Sequence, residues 1–356
     1  MRQLNQKSHG NQDGTDKKLS GQTLFFGSSI VLCLVALGYF VFAQNTNGQS
    51  RGVSRQSELT LEQIPFDGAA AKQWLDKICE IGPRVSGTPG MQKQQELLVP
   101  HFEALGGQVE LQKFRVRHPV NGGPVPMANI VVRWHPERKE RIMFCAHYDT
   151  RPFPDQDPVN KQGVFIGAND GASGVAVLAV LGQYMKDFDS KLGVDFVLFD
   201  GEELVYSRND RYFLGSEWFA REYAGNKERD FKYRAAVLLD MVGDQSLEIY
   251  QERNGLRWRD SRWIVETIWK KANELGVREF INQPHSGEIL DDHIMLHKHG
   301  KIPACDLIDF TYRSPDRRMN YWHTTEDLPD KCSALSLAKV GWVIHEWLKD
   351  EGKKRK

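Results

Sequence analysis

The sequence has no excess of either charge. Its 47 lysines and arginines balance 47 aspartates and glutamates over 356 residues. A nucleic-acid binder needs a basic face, so no nucleic-acid partner is expected. Cysteine is scarce: there are five, and none stands in a CxxC or knuckle spacing. Thiolates are therefore not the metal ligands here. Cys145 and Cys305 sit in apolar, strand-like runs and read as small core residues. An oxidising compartment would allow a Cys79–Cys332 disulfide, which sequence does not decide. There is no internal repeat and no sign of a second folded domain.

What is present suits one large α/β domain. Apolar residues make up 40% and aromatic residues 10% of the chain, enough for a sizeable core. Residues 1–22 are polar and read as a disordered segment. Residues 23–43 form an uncharged apolar run of about the twenty residues that a membrane-spanning helix needs. Arg2, Lys7, Lys17 and Lys18 precede it, which places the N-terminus in the cytoplasm and the rest outside. A single-pass anchor is favoured by the length of the run. A cleaved signal segment is the alternative, with Val41-Phe42-Ala43 as a small-residue cleavage site and a secreted product. Residues 44–57 read as a linker, 58–350 as the catalytic domain and 351–356 as a solvated basic tail.

Within 58–350, helix and strand signals alternate. Helices are expected over 69–81, 91–105, 171–188, 261–275 and 333–348, and strands over 108–116, 129–134, 141–146, 194–199, 235–239 and 302–308. This order predicts a three-layer sandwich: a central, mainly parallel twisted sheet with helices on both faces.

The apolar strands end in polar groups. One ends at His147-Tyr148-Asp149, the next at Asp200-Gly201-Glu202-Glu203, the third at Asp240. Open α/β sheets place their sites outside the carboxyl ends of the strands, so these groups share one rim. Asp170 stands just before a helix, and His323 stands in a loop after the last strand. Carboxylates and imidazole are ordinary zinc ligands, and three of them with one open position make a catalytic site. A lone acidic residue at a strand end is usually a helix cap or a solvated carboxylate. Two adjacent glutamates after a wholly apolar strand are a costly place for charge without a partner. Asp149 is a candidate to orient His147. His285, His293, His297 and His299 complete no metal spacing and read as surface or loop residues, with His293 bordering the pocket. Gly82-Pro83-Arg84 either shapes the pocket entrance or ends a helix. Trp258, Trp263 and Trp269 read as packing.

Ala146-His147-Tyr148-Asp149, Gly167-Ala168-Asn169-Asp170-Gly171-Ala172-Ser173-Gly174, Gly201-Glu202-Glu203, Leu239-Asp240-Met241 and His323-Thr324 together resemble the M28 metallopeptidase family. A narrower resemblance is to the glutaminyl cyclases of the same fold. It rests on Phe199-Asp200-Gly201-Glu202-Glu203, Ile289-Leu290-Asp291-Asp292-His293 and Trp322-His323-Thr324. It implies one zinc held by Asp170, Glu203 and His323. Glu202 would transfer protons, Asp240 and Asp292 would hydrogen-bond around it, and Trp322 would pack on the substrate, a peptide or protein N-terminus. Two features depart from that pattern. No tryptophan follows the paired glutamates, where Leu204-Val205-Tyr206-Ser207-Arg208 runs, and Cys145 has no partner near Val175. The rival implication is an aminopeptidase with two zincs, in which His147 and Asp240 complete a second site and Asp170 bridges. Both remain open on the ligand inventory.

Overall fold

The structure, a computed structural model, describes residues 56–311 and 320–353. Helix α1 (Gly68–Glu80) is capped by Asp67, whose carboxylate accepts the Ala70 N–H, and α2 (Pro89–Ala104) opens on the proline that suits a first helical turn. Strands β1 (Gln108–Arg117), β2 (Pro124–Trp134) and β3 (Glu140–His147) follow. Then come α3 (Ser173–Leu181), β4 (Gly193–Phe199), α4 (Leu214–Gly225) and β5 (Lys232–Asp240). After β6 (Ile249–Gln251) come α5 (Arg253–Arg257), α6 (Arg262–Glu274), β7 (Phe280–Pro284) and α7 (Asp292–Gly300). The last elements are β8 (Ala304–Ile308) and α8 (Ala334–Lys353).

The main sheet has the order β1-β2-β4-β3-β5-β8, and β6 with β7 forms a separate pair. Strands β4, β3, β5 and β8 are mutually parallel, and β2 and β1 join antiparallel at one edge. Side-chain alternation along the buried strands divides the core. Ile142, Phe144 and Ala146 of β3 face the layer with α1, α2, α3, α6 and α8, whereas Met143 and Cys145 face α4 and α7. That is the three-layer sandwich expected. Because the four parallel strands run the same way, their carboxyl ends share one rim.

Several expectations are corrected. The helix read over 171–188 is shorter: a tight turn at Ala168–Ala172 precedes α3, and a 3-10 turn at Gly182–Tyr184 ends it. Helices α4 and α7 were not read from the sequence. The 351–356 tail is partly helix, and Glu351 is buried and paired with Arg234 at 2.9 Å. Cys79 and Cys332 are buried and free, so they form no disulfide. The single-pass membrane reading is withdrawn. Among the described residues no helix is long and apolar enough to cross a membrane, and the 23–43 run lies outside them.

Candidate active site

The rim gathers every residue singled out for it. His147 ends β3, Glu202 and Glu203 follow β4, and Asp240 ends β5. Asp170 lies in the turn before α3, joined to Gly171 by a cis peptide. Two glycines let that turn approach. A Cβ on Gly171 would lie 2.5 Å from the His147 ring, and one on Gly174 would lie 2.1 Å from the Leu239 carbonyl. Any larger residue would push Asp170 away from the strand ends. His323 sits in left-handed backbone (φ 55°), as does Met241 after Asp240 (φ 48°). Such conformations cost about 1–3 kcal/mol each and mark sites that the surrounding fold holds in place.

Asp170 stands between two imidazoles. Its Oδ1 lies 3.1 Å from His147 Nε2, and its Oδ2 lies 3.3 Å from His323 Nε2. His147 Nε2 is also 3.2 Å from Asp240 Oδ1, and His323 Nε2 is 3.0 Å from Glu203 Oε1. Ligand atoms of His147, Asp170 and Glu203 all lie within 4.8 Å of one another. Asp170 Oδ2 is buried and has no hydrogen-bond donor. A cation is the partner that such a converging set of carboxylates and imidazoles lacks, so the residues fit a zinc ion. Burial would raise the Asp170 carboxyl, but the His147 and His323 imidazoles beside it pull it below the usual range. Burial opposes charge on His323, yet Asp155, Asp170 and Glu203 push it up to about 10.

Glu202 is raised well above the ordinary carboxylate range. Its removal from water is the largest cause and the adjacent Glu203 charge the next; His147 opposes, while Asp291 and Asp292 add to the rise. The resemblance implies that Asp240 and Asp292 stand around it. In the fold Asp291 lines the pocket beside Glu202, and Asp292 is fully buried behind it, accepting from the Ser216 hydroxyl at 2.5 Å. Burial and the Asp240 charge push Asp291 up to about 7. Asp240 lines the pocket too and is raised to about 6 by burial. The cavity holds about 360 Å³ and is walled by Trp322, Phe310, Ile308, Ile289 and Met241. Trp322 stacks on His323 with centroids 3.6 Å apart and meets Phe310 edge-on at 5.2 Å. Tyr212 reaches the pocket from beyond the segment where tryptophan is missing.

Supporting residues emerge that the sequence did not single out. Asp155 Oδ1 lies 3.3 Å from His323 Nδ1, the position of a carboxylate that orients a metal-binding imidazole. Arg151 Nη1 donates to Glu203 Oε1 at 2.9 Å. Asp327 accepts the main-chain N–H groups of Asn169 and Asp170 and so fixes the Asp170 turn. The only signal for these residues was position: each stands a few residues from a ligand motif. Asp149 has a task beyond the one expected. It accepts the N–H groups of Glu202 and Glu203 at 3.1 and 3.0 Å, and its nearest oxygen is 3.6 Å from His147 Nδ1. Arg84 does not line the pocket; it is fully buried and donates to the carbonyls of Ile166 and Gly167, ahead of the Asp170 turn. His293 is also not a surface residue. It is fully buried, 3.3 Å from Glu252.

The family model described as peptidase family M28 matches residues 129–348, the stretch that carries every candidate metal ligand. The chain belongs to peptidase family M28. Its likeness extends to solved structures and to curated relatives. Against a glutaminyl cyclase from Fimbriiglobus ruber it is 39% identical, covering 83% of this chain and 98% of that one, with a TM-score of 0.75. A zinc-dependent exopeptidase from Parabacteroides distasonis is 27% identical over 79% of this chain and 97% of its own, with a TM-score of 0.71. The glutaminyl-peptide cyclotransferase of Drosophila melanogaster is 27% identical over 72% of this chain and 73% of its length. Zinc is the metal named for the Parabacteroides distasonis exopeptidase, and the donor set here fits it.

Proposed function

We propose that residues 58–350 of this M28 chain form a zinc-dependent glutaminyl-peptide cyclotransferase. It closes an N-terminal glutamine of a peptide or protein into pyroglutamate and releases ammonia. The observation that carries the reading is the acidic surround of Glu202, where Asp291 and Asp292 of the α7 start add to the charge of Glu203. Similarity to glutaminyl cyclases over more than four-fifths of the chain supports it. Asp170, Glu203 and His323 would hold the ion, which supplies a Lewis acid for the side-chain amide carbonyl.

The chain's own groups do the rest. Trp322, Phe310 and Ile289 shape an apolar wall for a small side chain and exclude water from it. The α-amine must lose a proton as it attacks the amide carbon, and the departing ammonia must gain one. Glu202 can accept the first at its carboxylate and return it to the leaving nitrogen. Its raised pKa suits that exchange, because such a carboxylate is a stronger base toward the amine than an ordinary one. Asp240 would steady His147 at 3.2 Å.

The second reading, an M28 aminopeptidase with two zincs, draws on the same geometry. Asp170 faces His147 with one oxygen and His323 with the other, as a bridging carboxylate does. Purified protein offered Gln-initiated peptides should release ammonia and carry one zinc per chain. Two zincs and free amino acids released from ordinary aminopeptidase substrates would establish the peptidase instead.

A further inference from the structure

Arg151 is a buried cation set directly against the proposed metal ligands. It is 3% exposed. Its main-chain N–H donates to Glu203 Oε2 at 3.1 Å, and its Nη1 donates to Glu203 Oε1 at 2.9 Å. The same Nη1 lies 3.3 Å from His323 Nε2. Glu203 Oε1 and His323 Nε2 are themselves 3.0 Å apart, so the three atoms form a nearly equilateral triangle. An ion bonded to both of those atoms at ordinary zinc distances lies within about 4 Å of Nη1, wherever around them it sits. Two positive centres at that range in a buried site repel, and the guanidinium has to retreat. Partners for the retreat are in place: Asp155 Oδ1 lies 2.9 Å from Nε, and the Tyr212 hydroxyl lies 3.5 Å from Nη2.

We propose that Arg151 is an internal counter-ion that stands in for the metal, its guanidinium compensating Glu203 in the metal-free protein and yielding to Asp155 and Tyr212 when zinc enters. Without Arg151, Glu203 would have only the His323 imidazole at 3.0 Å to offset its charge in a dry rim while the chain waits for its ion. The cost is competition: zinc must displace a cation to bind. This inference rests on the zinc reading of the site and is independent of which reaction the site performs.

The test uses the full-length chain, stripped with a chelator and reloaded with zinc. Zinc affinity is read by competition with a chromophoric chelator, and unfolding by calorimetry with and without the ion. Arg151→Met should melt several degrees below wild type without zinc and level with it when zinc is bound. Its zinc affinity should rise by about tenfold, the size of effect that changes around metal ligands produce. Arg151→Lys keeps the charge and should resemble wild type in both readouts. Equal loss of melting temperature with and without zinc would make Arg151 a structural residue and overturn the proposal. Unchanged or weaker zinc binding by Arg151→Met would overturn it too, by showing that the guanidinium holds Glu203 for the metal. If Arg151→Met does not fold, Arg151→Gln decides on the same two readouts. A wild-type chain that binds no zinc would instead refute the metal reading beneath the proposal.

Discussion

Replacing Glu202 by glutamine separates proton transfer from metal binding. Glutamine keeps the shape of the side chain and cannot exchange a proton at neutral pH. Glu202 stands outside the buried His147, Asp170 and Glu203 group, and its main-chain N–H is held by Asp149, so the ligand turn has no reason to move. Zinc content should stay at the wild-type level. Removing a positioned acid–base group costs about 10²–10⁴ in rate. One carboxyl serves both transfers here, which places Glu202→Gln toward the upper end, about 4–5 kcal/mol at 1.36 kcal/mol per tenfold. The loss should fall on kcat with little change in KM, because the apolar wall of Trp322, Phe310 and Ile289 is untouched. Ammonia release from a Gln-initiated peptide, read through a coupled dehydrogenase, gives the rates, and elemental analysis gives the metal. The carboxylate form must accept the amine proton, and burial with Glu203 holds that carboxyl high. Wild-type activity should therefore rise with pH through the Glu202 titration, and the residual activity of the glutamine variant should lack that limb. Activity within about threefold of wild type would remove Glu202 as the proton-transfer group. Loss of zinc together with activity would show that it serves the metal instead.

Other perturbations probe the surroundings. Asp155→Asn weakens the carboxylate opposite His323 Nδ1 and should lower zinc affinity by about 10–100-fold in chelator competition. Arg141 is buried against Asp195, whose Oδ2 also accepts the Tyr233 hydroxyl at 2.5 Å. Arg141→Met strands that carboxylate and should cost about 3–5 kcal/mol in a denaturant titration. Asp309 is pushed up to about 7 by burial, with the Asp244 charge adding to it. Its unfolded pKa is about 3.9, so between the two values the unfolded chain binds fewer protons and stability falls as pH rises. Asp309→Asn should flatten that slope in melts between about pH 4 and 7. Zinc uptake should release protons, because His323 is held up to about 10 without the ion, and affinity should therefore grow with pH.

The fold was readable where the signal was strong. Apolar runs such as 194–199 and 235–239 became the buried strands β4 and β5, and their polar ends share one rim as parallel strands require. Helix α4 escaped notice because its stripe is short, its cap residue Phe213 is no ordinary capping type, and Trp218 stays part-exposed against Phe114. Helix α7 was hidden by Asp291-Asp292-His293, which reads as chemistry and also serves as a helix start, Asp291 accepting the Asp292 N–H. In the site, motif residues were legible because adjacent carboxylates after apolar strands are expensive. Asp155, Arg151 and Asp327 were not, since a charged loop residue has no periodic signature. His293 was misread for a related reason: a polar residue beside a loop motif gives no sign that Glu252 and Trp258 bury it.

The order in which the rim is supplied sets when it can exist. His147 comes from β3, the middle of the sheet, while His323 arrives only after β8 has been added at the far edge. A ribosome delivers these two imidazoles many seconds apart, at about 5–20 residues per second. No nascent fragment ending before residue 323 can present the full donor set. Capture of an ion by Asp170, Glu203 and His323 together is thus tied to a late stage of synthesis, after every strand of the main sheet has been made.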